Sequence, residues 1–230
     1  MSSPLDKKLR LQPFISQLSS EDADAAATVQ VRAMGSHAVQ LRIQPLDKRP
    51  PFPAQVAIKA QGLRNMLSQG YHRIVKAVVD GEIVGIADWI LISGKKAQVE
   101  EGVTPAPPKE HTGQDEETLK GVDVKMRGLV GKTSADMRNK TMEDTEYWYL
   151  SLMVVDPAYQ HRGIGQALLQ WGLDQADAQS SEVYLESSDD GLQLYEKNGF
   201  ELVGWNVLAD EKSEGGSLKW PAMKRRSIRS

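Results

Sequence analysis

The period of apolar and polar positions changes several times along the chain, and each change marks an element. In "YHRIVKAVVDGEIVGIADWILIS", Tyr71 to Ser93, β-branched residues fill two runs on either side of Asp80-Gly81. That pair suits the positive φ of a two-residue turn, so the stretch predicts a β-hairpin. Upstream, Leu9 and Leu11 alternate with Arg10 and Gln12 before Pro13, a short strand pattern. "SSEDADAAATVQVRAM" then supplies a cap and an alanine-rich helix with Val29, Ala33 and Met34 on one side. Four prolines between residues 35 and 54 predict a loop, and "AQVAIKAQGLRNMLSQG" predicts a second helix ending at Gly70. From Glu146 onward come strand "EYWYLSLMVV", a glycine-bearing turn, a helix from about Gly163 to Ala178, strand "EVYLESS", helix "DDGLQLYEKN", and strands "FELVGWNVLA" and "GSLKWPAMK". Residues 93 to 145 differ: "VEEGVTPAPPKEHTGQDEET" is proline-rich and acidic with little to bury, and the stretch to Asp144 carries only a weak helical signal. The expectation is a single domain over residues 1–230 with a partly mobile insertion at about 93–145.

Composition narrows the function more than the fold. A chain of 230 residues, 40% hydrophobic, is long enough for one substantial core. A formal net charge of -3 offers no cationic footprint for nucleic acid or an anionic membrane, so neither is expected as a partner. Cysteine is absent, which excludes disulfides and thiolate chemistry. No apolar leader opens the chain and no run nears the roughly 18 apolar residues of a membrane span, so a soluble cytoplasmic or nuclear protein is expected. The tail "MKRRSIRS" reads as a solvated basic end, with nuclear import as the alternative. Histidines 37, 72, 111 and 161 lie far apart with no HxxxH pair, so no metal is expected, and no serine sits in a nucleophile elbow.

The chemistry concentrates in "VVDPAYQHRGIGQALLQ", Val154 to Gln170. Gly163 and Gly165 lead into a helix, whose first N–H groups lack partners inside the helix and whose dipole attracts an anion. Glycine removes the Cβ atoms that would hold phosphate oxygens away. A dinucleotide fingerprint with Glu186 as ribose-binding acid fails at Leu168, where a third small residue is required. "GLVGKTS", Gly128 to Ser134, ends like a P-loop, but Met126 stands where its first glycine belongs, so it reads as a loop of the insertion.

Gln160, Gly163 and Gly165 match the Gln/Arg-x-x-Gly-x-Gly/Ala signature, and "LQLYEKNGFE", Leu192 to Glu201, matches a Leu-Tyr-x-x-x-Gly-Phe helix-to-strand junction. In both, and in their order, the sequence resembles the GCN5-related N-acetyltransferases (GNAT). The resemblance also takes in the opening strand and helix and the hairpin with Gly85. It implies an α/β (α+β) GNAT-type acyl-CoA N-acyltransferase fold: a mixed, mostly antiparallel sheet with a splayed central strand and flanking helices. It further implies acetyl-CoA as acyl donor, with Met153, Val154 and Val155 contacting its pantetheine arm through their backbone and the N–H near Met153 polarising the thioester carbonyl. The turn of Gln160, His161, Arg162, Gly163, Ile164, Gly165 and Gln166 would cradle the pyrophosphate. Tyr195 matches the tyrosine that protonates the leaving thiolate, and Lys197 lies within reach of the cofactor.

The resemblance departs at the general base. Members that carry a glutamate on the strand before the turn have it where this chain has Tyr149, eleven residues before Gln160. Glu146 and Glu143, at or before the strand's start, and Tyr149 itself are the candidates, although a phenol of pKa about 10 is a poor base at neutral pH. Period two puts Tyr147, Tyr149, Ser151 and Met153 on one face and Trp148, Leu150, Leu152 and Val154 on the other, and a bulge would shift that phase. The expected activity is acetyl transfer to a primary amine, of a small molecule, by direct attack. A catalytically weak acyl-CoA-binding or regulatory module and a protein lysine or N-terminal acetyltransferase are the alternatives. The acidic insertion would favour cationic acceptors.

Overall fold

The computed structural model describes residues 10–93 and 120–227. Its strands are β1 (Phe14–Gln17), β2 (His72–Val79), β3 (Glu82–Ile92), β4 (Tyr147–Val155), β5 (Glu182–Glu186), β6 (Glu201–Ala209) and β7 (Ser217–Arg225). Its helices are α1 (Ala23–Ala33), α2 (Ala38–Ile43), α3 (Phe52–Ser68), α4 (Val124–Met142), α5 (Ile164–Ala178) and α6 (Leu192–Lys197). The strands form one sheet in the order β1-β2-β3-β4-β5-β7-β6. Every neighbouring pair is antiparallel except β4 and β5, which run parallel and are joined across the sheet by α5. The β2–β3 hairpin turns at Asp80 (φ 51°) and Gly81 (φ 84°), as Asp-Gly predicts.

Helices cover both faces. Leu168, Leu169 and Leu173 of α5 pack on Val75, Ala87, Trp89, Trp148 and Leu150. On the opposite face Ala26 and Ala27 of α1 and Ala60 and Leu63 of α3 pack on Ile74, Ile86 and Val154. Farther along that second face, Met142 of α4 packs with Tyr147, Tyr184 and Ala222. Gly172 of α5 admits the indole of Trp89, since a Cβ there would lie 2.1 Å from Trp89 Cε2. Trp89 is fully buried between α5 and the sheet and has no room to yield. Gly172→Ala is therefore expected to destabilise the protein by about 1–3 kcal/mol despite the better helix propensity of alanine, a loss that urea unfolding measures directly.

Three expectations change. The first strand begins after Pro13, at Phe14, and Leu11 instead lies beside the glycine turn, its N–H donating to the Arg162 carbonyl at 2.8 Å. Leu9 lies outside the described residues, as do the acidic, proline-rich residues 94–119 and the last three residues of the basic tail. Residues 35–54 hold the six-residue helix α2 and the start of α3 instead of an unbroken loop. The prolines misled because they sit at helix ends: Pro45 follows α2, and Pro51 and Pro53 lie at the first turn of α3, where a missing N–H costs nothing. Finally, the P-loop-like Gly128 to Ser134 is part of the regular helix α4, capped by Asp123, whose carboxylate accepts the Met126 N–H at 2.9 Å. Gly128, Gly131 and the hydroxyl residues of α4 weaken its helical signal, and its docking on Tyr147 and Tyr184 compensates.

Candidate active site

The site begins with a mismatch in pairing around β4. Asp88 pairs with Leu152 and Trp89 with Leu150, so Ser151 is the extra residue of a β-bulge. The bulge shifts the face of every residue after it. Trp148 and Leu150 face α5, whereas beyond the bulge Leu152 and Val154 join the α1–α3 face and Met153 and Val155 turn towards α5. The uninterrupted alternation of the sequence holds only as far as Leu150.

At the same point β4 and β5 part. Their pairing runs from Tyr147–Glu182 to Leu150–Leu185 and stops, while β4 continues against β3 to Val155. Among the described residues the β5-facing edge of residues 151–155 thus pairs with no strand, leaving a slot of roughly 15 Å at about 3.3 Å per residue. Its unpaired backbone groups suit an extended ligand that adds to the sheet edge.

The glycine turn closes the far end of the slot. Gly163 caps α5 with φ 91°, and His161 also has positive φ, 61°. A Cβ on Gly163 would meet the Arg10 side chain at 3.2 Å, which places a second arginine at the turn alongside Arg162, itself stacked over Tyr159 at 5.8 Å. Gln160 donates to the Val155 carbonyl at 3.1 Å and ties the turn to the end of β4. Gln166 and Asn198 exchange hydrogen bonds of 2.8 and 2.9 Å, joining the first turn of α5 to the end of α6. Ile164 is buried in the core and supports the turn from below, and a Cβ on Gly165 would only touch Leu194 at 3.5 Å. Lys197 is exposed. A cradle of helix N–H groups beside two arginines, continuous with an unpaired strand edge, fits a ligand with a phosphate head and an extended arm.

Titratable groups flank the fork on opposite faces. On the α5 face Tyr195 is buried among Leu150, Leu185 and Phe200, its ring edge-on to Phe200 at 5.6 Å. Burial raises its hydroxyl above the usual phenol range, so it stays protonated. On the other face Glu186, the residue after the last β4–β5 pair, accepts a hydrogen bond from the Tyr149 hydroxyl at 2.8 Å. Arg138 of α4 lies over the Tyr149 ring at 4.6 Å and 3.9 Å from Glu186 Oε1. Burial pushes the Glu186 carboxyl up, against the opposing pull of Arg138. Burial, reinforced by the charge of Glu186, pushes the Tyr149 hydroxyl well above the phenol range.

Residues 125–202 match the profile of an acetyltransferase (GNAT) domain. Over those residues the chain is similar to the GNAT acetyltransferases. Its fold is that of solved GNAT structures, including the histone acetyltransferase HPA2 and related acetyltransferase from Corynebacterium glutamicum, 20% identical with a TM-score of 0.59 over 96% of this chain and 99% of that one. A mosquito arylalkylamine N-acetyltransferase like 5b, 17% identical, gives 0.59 over 94% and 100%. The PaiA N-acetyltransferase of Thermoplasma acidophilum in complex with coenzyme A, 15% identical, gives 0.52 over 94% and 99%. A curated relative, the probable acyltransferase SID5 of Ajellomyces capsulatus, is 52% identical over 51 residues, 22% of this chain and 38% of that protein's length. Among the described residues no cluster of three or more His, Asp or Glu is poised to hold a metal ion.

Against this GNAT frame the turn residues, Met153 to Val155 and Tyr195 lie along the slot and at its two ends. Glu146 does not reach them. It is exposed at the start of β4, five residues and roughly 17 Å of strand before the bulge. Tyr149 faces the slot's far side but as a donor to Glu186. Glu186, weighed in the sequence only as the ribose-binding acid of a dinucleotide site, and Arg10 were not recognised for this site because nothing local marks them for it. One needs the parallel β4–β5 register and the other the return of the N-terminal segment to the turn.

Proposed function

We propose that the protein transfers the acetyl group of acetyl-CoA to a primary amine of a small molecule, with Glu186 as proton acceptor, through Tyr149, and Tyr195 as proton donor. The pairing of Glu186 with Tyr149 at the β4–β5 fork carries the reading, because it brings a carboxylate to the place where the strand supplies only a tyrosine. Acetyl-CoA, when bound, supplies the activated acetyl carbonyl. The turn residues Gln160 to Gln166, with Arg10, would hold its phosphates, and the edge from Met153 to Val155 would hold its arm, with an N–H near Met153 directed at the carbonyl oxygen. Lys197, exposed at the end of α6, would add charge at the rim.

The amine nitrogen forms its bond to the acetyl carbon as the carbon–sulfur bond breaks. Its proton passes to the Tyr149 oxygen while the Tyr149 proton moves to Glu186. Tyr195, protonated and on the opposite face, gives its proton to the departing sulfur. A carboxyl raised above the usual carboxylate range as proton acceptor and a buried, protonated phenol as proton donor, on either side of one slot, are what an acyl transfer to nitrogen requires. The acceptor face is walled by α4 and by the α2 region, which Arg42 ties to Asp210 at 2.6 Å and to Asp123 at 3.2 Å. These walls favour a small molecule over a protein surface.

Free-thiol release from acetyl-CoA, screened across alkyl-, arylalkyl- and amino-acid-derived amines, tests the reading. Amine-stimulated release supports it, and tight coenzyme A binding without such release overturns it in favour of a binding module. In the same assay Tyr195→Phe is expected to lower kcat by about 10- to 100-fold with little change in coenzyme A affinity, because only proton donation is lost.

A further inference from the structure

Asp88 has no part in the steps above, yet it is fully buried at the bulge. His72 Nδ1, from β2, lies 2.8 Å from its Oδ2 and 3.0 Å from Oδ1, and the Ser151 hydroxyl bonds to Oδ2. Three strands thus meet through one carboxylate at the residue that the register skips. Removing a carboxylate from water is costly, and an apolar side chain of similar size commonly serves stability as well or better.

Hydrogen-bond polarity shows what this arrangement can do. An ionised carboxylate only accepts, so the Ser151 proton is committed to Asp88, and His72 donates from Nδ1. The Ser151 oxygen is left with lone pairs alone to offer. Ser151 is partly exposed and opens the unpaired edge of β4, two residues from Tyr149 on the same strand. Its hydroxyl is therefore an acceptor-only group beside the reaction centre.

We propose that Ser151 contacts the acceptor amine, its hydroxyl held by Asp88 and His72 to accept one N–H, and that this contact selects primary over secondary amines. The inference rests on the acetyltransferase reading above. A neutral primary amine has two N–H bonds and one lone pair. With one N–H on Ser151 and the other on the Tyr149–Glu186 pair, the lone pair is left for the acetyl carbon. A secondary amine has a single N–H and leaves one of the two acceptors unmatched, which a buried site penalises. Asp88 and His72 are positioning residues, since they act only through Ser151.

The experiment compares the fastest primary amine of the screen with its N-methyl derivative. Wild-type protein, Ser151→Ala and Asp88→Asn are each measured, with coenzyme A affinity by calorimetry as the check on folding and donor binding. Ser151→Ala is expected to lower kcat/KM for the primary amine by roughly 10- to 100-fold and to bring the primary-to-secondary ratio towards one, with coenzyme A affinity unchanged. Asp88→Asn, whose amide can donate to the Ser151 oxygen and reverse its polarity, is expected to shift the ratio in the same direction. Wild-type turnover with an unchanged ratio in Ser151→Ala overturns this inference alone. Absence of any amine-stimulated thiol release in the wild type overturns the acetyltransferase reading and this one with it.

Discussion

Glu186→Gln is expected to lower kcat about 10²- to 10⁴-fold, the range for loss of a positioned proton acceptor, and to remove the acid limb of the pH–rate profile. The amide would keep the size of the side chain and an oxygen to accept the Tyr149 hydroxyl, so the β4–β5 fork should retain its geometry. Only the capacity to take a proton is lost. The direction of the pH effect follows from burial, which raises the Glu186 carboxyl above the usual glutamate value of about 4.3. Below its raised pKa Glu186 is protonated and cannot accept, so wild-type activity should rise with pH across that window, above the ordinary carboxylate range. Stability moves the other way. The folded state binds the proton more tightly than the unfolded chain, so the contribution of this group to stability is present at low pH and declines as pH rises through the folded pKa. Rates measured across pH for both proteins, with urea unfolding alongside, check all three signs. A Glu186→Gln variant with an intact acid limb would place the base elsewhere.

Gly163→Glu is expected to weaken coenzyme A binding by about 100-fold or more. Two effects combine. Gly163 has φ 91°, a conformation in which any L side chain is strained by about 1–3 kcal/mol, and the helix behind it depends on this residue as its cap. The added carboxylate also enters the space where Arg10 and the first N–H groups of α5 converge, and a negative charge there would satisfy the anion site from within and repel phosphate. Gly163→Ala separates the two terms, since it keeps the strain without the charge. The neighbour its methyl group would meet, the flexible Arg10 side chain at 3.2 Å, can move aside. Calorimetric titration with coenzyme A should therefore rank wild type above Gly163→Ala and Gly163→Ala above Gly163→Glu. Equal affinity for all three would remove the turn from the binding site.

Local patterns in the chain were sufficient for most of the architecture. Asp80-Gly81 placed the hairpin, the apolar spacing around Leu168 and Leu173 placed the helix after the turn, and the two signatures at Gln160–Gly165 and Leu192–Glu201 indicated the acyl-CoA fold. Such features are encoded in the preferences of neighbouring residues and in repeats of 2 or 3.6, so a linear reading finds them. The region around α2 and α4 was misjudged for the same reason. Its prolines, glycines and hydroxyl residues are poor helix formers locally, and tertiary contacts with the sheet and with Asp123 and Arg42 outweigh that preference.

The amino-acid sequence by itself therefore determined the order of elements, the glycine turn with its helix N-terminus, and the place of Tyr195 on the helix before the last hairpin. Only the tertiary structure decided where a carboxylate meets the fork. The bulge at Ser151 breaks the alternation on which the face of each β4 residue depends, and Glu186 reaches Tyr149 from a parallel strand thirty-seven positions away. The cluster of His72, Asp88 and Ser151 likewise assembles from three strands. Register between strands is set by how whole surfaces pack, and no single segment of the chain carries it.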